Sequence, residues 1–267
     1  MMRPALLSIE GAHCIVTGAS RGIGRAMVIN LASRGARVTG VARQSDALAE
    51  VADLTGARAF PADLADPSQV AGLIDRIEAE AGPVDVLVNN AGVALVDRLV
   101  DQPADGIRSS FAVNCVAPIE LCRQAVEGMV ARGTGRIANV SSLAAITAFP
   151  TLATYGATKA ALVHFSAALQ RELRRTPVRV TIVQLGEVAG TDMMEQARRS
   201  PTVAAVSRRL ARTHALPKLT PDSVAAKVID SVASGRSHVV VPARLGGLHL
   251  LRELPSRMND ALLAGIG

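Results

Sequence analysis

Tyr155 and Lys159 are the two residues of this sequence best suited to move a proton. They stand four apart, which places them on one face of a helix, and Tyr155 is the only tyrosine in the chain. A free phenol titrates near about 10, too high for good acid/base work at neutral pH. An ammonium one turn away favours the phenolate and lowers that value. The pair can then protonate a carbonyl oxygen or accept a proton from an alcohol. A Tyr-x-x-x-Lys spacing also arises by accident, so it needs company.

A second cluster suits a phosphate. Thr17-Gly-Ala-Ser-Arg-Gly-Ile-Gly24 follows the apolar run His13–Thr17 and opens a helical pattern with Ile23, Met27 and Leu31 four apart. Gly18 permits a sharp turn, Gly22 lets backbone approach a pyrophosphate, and Gly24 lets the helix pack closely on the strand. Ser20, Arg21 and Ile23 complete the candidate cofactor loop. The spacing is Gly-x-x-x-Gly-x-Gly rather than the commoner Gly-x-Gly-x-x-Gly. The next strand, Arg37–Ala42, should choose the cofactor: an acid at its end binds the ribose hydroxyl of NAD, a cation the 2′-phosphate of NADP. It runs into Arg43, with no acid. Arg43 and Arg21, with Ser20 as a hydrogen-bond donor, therefore favour NADP(H).

These clusters need a frame. Short apolar runs at 13–17, 37–42, 58–60, 84–88, 136–140, 178–183 and 238–241 read as strands. Helical patterns fill 22–35, 70–81 and 155–173. Strands separated by helices pair in parallel through right-handed crossovers. The expectation is an α/β, doubly wound sheet of about seven strands with helices on both faces, in one domain over 1–267. The segment 190–220 breaks the rhythm and reads as a substrate lid or an ordinary helical insertion.

Composition narrows the classes. Apolar residues make 49% of the 267 and charged ones 19%, ample for a core and against disorder. Aromatic residues are 2%, with no tryptophan, so a stacking platform for nucleic acid is hard to build. The net charge of +6 forms no long basic run and suits a phosphorylated ligand. Cys14, Cys115 and Cys122 lack ligand or disulfide spacing and read as core residues in a reducing compartment. Five scattered histidines give no support for a metal. Residues 1–11 read as a mature cytoplasmic start. The uncharged stretch 137–158 is long enough to span a bilayer, but its polar residues fit a buried strand, loop and helix start, and the Asn139 sequon falls in that strand.

Further motifs appear in order: Asp63-Leu64, Asn89-Asn-Ala-Gly92, Asn114 and Ser141-Ser142, ahead of Tyr155 and Lys159. With them, the sequence resembles the short-chain dehydrogenase/reductase family from about Ala12 to Val241. The resemblance implies hydride transfer between nicotinamide and a small carbonyl or alcohol. Asn114, Ser142, Tyr155 and Lys159 would be catalytic, with Ser142 polarising the substrate oxygen and Asn114 holding a relay water. Asp63 and Leu64 would cap the adenine, and Asn90, Ala91 and Gly92 would support the cofactor cleft. Lys159 would also hold the nicotinamide ribose. Gly186 and Val188 would meet the carboxamide, although Leu185 stands where the family has proline and Thr191 comes one position late. A homo-oligomer, dimer or tetramer, is the family default.

Two other readings stay open: a catalytically idle NADP sensor or scaffold, and a lipid-handling reductase at a membrane surface. The latter rests on 242–267, where Leu245, Leu248, Leu251, Leu254 and Met258 form an apolar stripe flanked by Arg244, Arg252 and Arg257. The same stripe fits a cleft cover or a subunit interface.

Overall fold

Alternation within the strands decides which side of the sheet each helix covers. The computed structural model describes residues 6–212 and 219–244. Its strands are β1 (His13–Thr17), β2 (Arg37–Ala42), β3 (Arg58–Pro61), β4 (Val86–Asn89), β5 (Arg136–Ser142), β6 (Arg179–Leu185) and β7 (His238–Val241). All pairs are parallel, in the order β3-β2-β1-β4-β5-β6-β7. The order reverses between β1 and β4, which opens a crevice at the strands' carboxyl ends.

Cys14, Val16, Val86, Val88, Ala138 and Val140 face α1 (Gly22–Ser33) and α10 (Pro221–Ala233). Ile15, Leu87 and Ile137 face the other way, toward α4 (Leu73–Ala81), α6 (Ala117–Ala131) and the end of α7 (Ala153–Glu172). With both faces covered, the central strands read as continuous apolar runs. Seven strands and both helical layers match the expected doubly wound fold.

The expected helix over 70–81 is interrupted. Gly72 takes φ +63 and divides it into α3 (Pro67–Val70) and α4. The apolar spacing hid a glycine that can leave helical space at little cost. Several helices carried too little periodic signal to be anticipated: α2 (Asp46–Thr55), α5 (Ala104–Phe111) and α6. The segment after β6 holds α8 (Asp192–Ala197) and α9 (Pro201–Arg212). All three cysteines are buried free thiols, and Asn139 is fully buried in β5. No described helix is long and apolar enough to cross a membrane. The stripe from Leu245 onward lies outside the described residues.

Ile137 sits in mid-sheet with no exposed surface. Ile137→Ala should cost about 2–5 kcal/mol through lost burial and the cavity left behind. Urea unfolding checks this; an unchanged midpoint would mean the sheet centre repacks freely.

Candidate active site

The carboxyl end of β1 turns through Gly18 at φ +68. A Cβ there would approach the Ala91 Cα to 2.9 Å, and one on Gly24 would sit 1.9 Å from the Gly18 carbonyl oxygen. Both positions therefore require glycine. Asn90 lies under this loop, its Nδ2 donating to the Thr17 carbonyl at 3.0 Å. Thr17 Oγ1 accepts from the N–H groups of Asn90 and Ala91, each at 3.0 Å. One hydroxyl thus ties the end of β1 to the end of β4. The sequence placed Thr17 at the head of the glycine turn but gave no sign of this bond to β4.

The start of α1 fits an anionic group. Its N-cap, Arg21, supplies no capping side chain and its first turn carries no acid, whereas Ser45 caps α2 and Thr220 caps α10. The free N–H groups and positive dipole end beside Gly22 (φ +54) are left for an external phosphate. Ser20 and Ile23 flank the turn, both half-buried. Arg43, just past β2, is exposed and has no ion-pair partner among the described residues. Arg21 is paired, 2.7 Å from Asp192.

Asp63 follows β3 and is half-buried; its Oδ1 accepts from the Ala65 N–H at 2.9 Å. Leu64 is only 7% exposed and belongs to the core. The expected cofactor contact at Leu64 is therefore left to its backbone.

Tyr155 and Lys159 start α7, as their spacing requires, with the Lys159 Nζ 6.0 Å from the centre of the Tyr155 ring. Lys159 is buried and donates to the Val140 carbonyl at 2.9 Å. Its Nζ would lie 3.3 Å from a Cβ on Gly92, and so would the Oδ1 of Asn114. A side chain there would press on both groups. Ser142 ends β5, its hydroxyl beside Tyr155 and accepting from the Ala144 N–H at 3.1 Å. Ser141 points the other way and donates to the Lys159 carbonyl at 3.0 Å. The alternation of β5 thus separates a hydroxyl that meets Tyr155 from one that fastens strand to helix.

Asn114 lies in a π-helical turn, Ala112–Val116. Its Oδ1 accepts from the Val93 N–H at 2.8 Å, and its Nδ2 donates to the Val93 carbonyl at 2.8 Å and to Thr158 Oγ1 at 3.0 Å. Both amide hydrogens are spent, so a water held by Asn114 has the second Oδ1 lone pair or the backbone to use. Thr158, which also donates to the Tyr155 carbonyl at 2.7 Å, was not anticipated.

The expected lowering of the Tyr155 pKa is not met. Burial pushes the phenol up, and the neighbouring Ser142 hydroxyl offsets only part of this. The ammonium is turned to the Val140 carbonyl. Burial also brings Lys159 down from 10.5 to about 8, opposed by the nearby Cys115.

At the β6 end, Gly186 donates to the Val241 carbonyl at 2.8 Å, with Leu185 buried beside it. Val188 is buried and pairs with Leu219 in an isolated bridge. Thr191 donates to the Val188 carbonyl at 3.0 Å and caps α8 through the Met194 N–H at 3.4 Å. A crevice of about 440 Å³ lined by His13, Arg37, Thr39, Arg58 and Glu80 lies at the strands' opposite ends and shares no residue with this site.

The sequence and the fold both have known relatives. The family model for short chain dehydrogenase matches residues 12–202. The chain belongs to the short-chain dehydrogenase/reductase family. It is 32% identical over 242 residues to the ketoacyl reductase HetN of a Nostoc species, covering 88% of this chain and 80% of that protein. It is 33% identical over 189 residues to the 3-oxoacyl-(acyl-carrier-protein) reductase FabG of Escherichia coli, covering 70% and 77%. A metagenomic short-chain oxidoreductase in complex with NADP superposes with TM-score 0.72 at 31% identity, covering 87% of this chain and 97% of that one. A Burkholderia phymatum member in complex with NAD gives TM-score 0.79 at 25% identity, covering 97% of each. This chain is thus an oxidoreductase of a family that binds NAD(P) and acts on small molecules.

Lys159 gives a pH signature. The folded lysine holds its proton to about pH 8, the unfolded one to about 10.5. Between those values the unfolded state binds more protons, so stability rises with pH there. Below 8 both states are protonated and the full cost of the buried ammonium applies. Relative to Lys159→Met, the unliganded wild type should gain on the order of 3 kcal/mol from pH 8 upward. Urea midpoints of both proteins at pH 7 to 10 read this, and a constant gap would contradict it.

Proposed function

We propose that this chain reduces a ketone or aldehyde to an alcohol, or runs the reverse, using NADP(H). The carrying observation is the grouping of Ser142, Tyr155 and Lys159 at the carboxyl ends of β4 and β5, against Gly92. A bound nicotinamide supplies or accepts the hydride. Ser142 polarises the substrate oxygen through its hydroxyl. In the reducing direction Tyr155 donates its phenolic proton to that oxygen. The upward shift of Tyr155 keeps the proton in place at neutral pH until the oxygen gains charge. Lys159 steadies the negative charge then left on the phenol. Asn114 positions the loop at Val93 and, through Thr158, the first turn of α7.

Gly18, Gly22 and Gly24 give the dinucleotide its backbone cradle, with Ser20 and Ile23 beside it. Asp63 and the Leu64 backbone take the adenine, Asn90, Ala91 and Gly92 the middle, and Gly186 and Val188 the carboxamide end. Arg43, exposed past β2 with no acid beside it, supports NADP(H), assisted by Arg21. The names of HetN and FabG make a 3-oxoacyl thioester the first substrate to try. Exposed Phe111, Val116 and Val130 on the α5–α6 side support a homo-oligomer. We take the chain to act as one domain in the cytoplasm, with 190–220 as a lid. A membrane contact through the tail rests on its sequence pattern alone.

Tyr155→Phe should lower turnover of a 3-oxoacyl substrate by about 10²–10⁴-fold while NADPH binding is kept. Stopped-flow turnover and cofactor titration test both halves; near wild-type turnover removes Tyr155 from the chemistry. Arg43→Ala should weaken NADPH roughly tenfold and leave NADH unchanged. Equal weakening of both would end the NADP assignment.

A further inference from the structure

Asp192 opens α8, directly after Thr191. Its carboxylate takes the Arg21 guanidinium at 2.7 Å, across the glycine turn. Thr191 lies on the same turn, its Cγ2 3.6 Å from where a Cβ of Gly22 would be. The two ends of the cofactor cleft are therefore joined directly: a residue of the turn after β1 is fastened to a residue of the segment after β6.

Direction matters here. β2 and Arg43 lie on one side of β1, while β4, β5 and β6 lie on the other. A guanidinium held by Asp192 is engaged, and cannot at the same time serve a 2′-phosphate beside Arg43 at the end of β2. The pair is exposed on both sides, 66% for Arg21 and 63% for Asp192. Such pairs are weak, and a doubly charged phosphate can displace them.

We infer that Asp192 sets cofactor discrimination by competing with the 2′-phosphate for Arg21. This rests on the NADP(H) reading above. NADH leaves the Arg21–Asp192 pair in place. NADPH draws Arg21 toward the β2 edge and releases the start of α8 from the glycine turn. Asp192 thus restrains NADPH affinity and ties occupancy of the adenosine end to the segment flanking the substrate.

The test is a double-mutant cycle on the full chain: wild type, Arg21→Ala, Asp192→Asn and the double variant, each titrated with NADPH and NADH. Asp192→Asn should tighten NADPH about two- to fivefold, the range an exposed ion pair allows, and leave NADH unchanged. In the Arg21→Ala background the same substitution should have no effect. A gain that persists in that background would be a general charge effect and would overturn the proposal, as would weaker NADPH binding by Asp192→Asn. If Arg21→Ala lowers NADPH affinity selectively but Asp192→Asn is silent, the competition fails and the NADP(H) reading stands. If Arg21→Ala leaves both cofactors untouched, Arg21 does not meet the phosphate and both ideas about it fall. Circular dichroism of all four proteins separates these results from misfolding.

Discussion

The burial of one ammonium organises this site. Lys159 is 3% exposed, so its charge must be hydrogen-bonded where it lies. It takes the Val140 carbonyl at 2.9 Å. That bond fixes how far α7 can slide along β5, and the reciprocal bond from Ser141 to the Lys159 carbonyl fixes its rotation. With strand and helix locked, Ser142 and Tyr155 can only meet where they do. The same ammonium crowds position 92, where a Cβ would come within 3.3 Å of it. A charge that costs stability thus gives the surrounding hydroxyls a single geometry.

A second polar chain runs behind the first. Asn89 donates to Asn139 at 2.8 Å, and Asn139 donates to Ser166 at 2.8 Å. These groups join β4, β5 and α7 in the interior, where leaving one unpaired would cost about 1–3 kcal/mol. Partners so demanding hold the strand ends at one spacing, and the loops beyond them inherit it.

Much of this was legible in residue order alone. The glycine turn, the strand sequence and the Tyr155–Lys159 spacing are local patterns, and local geometry translates them directly. Ser142 was separable from Ser141 by resemblance, and the alternation of β5 supplies the physical reason. What escaped were contacts between distant segments. Thr17 with Asn90, Asn114 with Val93, and Arg21 with Asp192 join residues 73, 21 and 171 positions apart. No periodicity encodes such pairs. The direction of the Tyr155 shift was missed for a related reason: spacing shows that an ammonium is near but not where its hydrogens point. Gly72 split an expected helix because apolar spacing continued through it.

The excursion after β6 leaves and rejoins the body at one place. Val188 bridges Leu219, and the Ala189 N–H bonds the Leu219 carbonyl at 2.9 Å. Just before it, Glu187 binds Arg198 and accepts from Ser207 Oγ, gripping the end of α8 and α9. A loop whose ends are stapled together can be lengthened or exchanged at an entropic cost that grows only with the logarithm of its length. The sheet does not register the change. In evolutionary terms the chain has an interchangeable part: the stretch between Val188 and Leu219 can vary in length and sequence, bounded by the Arg21–Asp192 pair that ties it to the glycine turn, while the sheet and α7 are inherited intact.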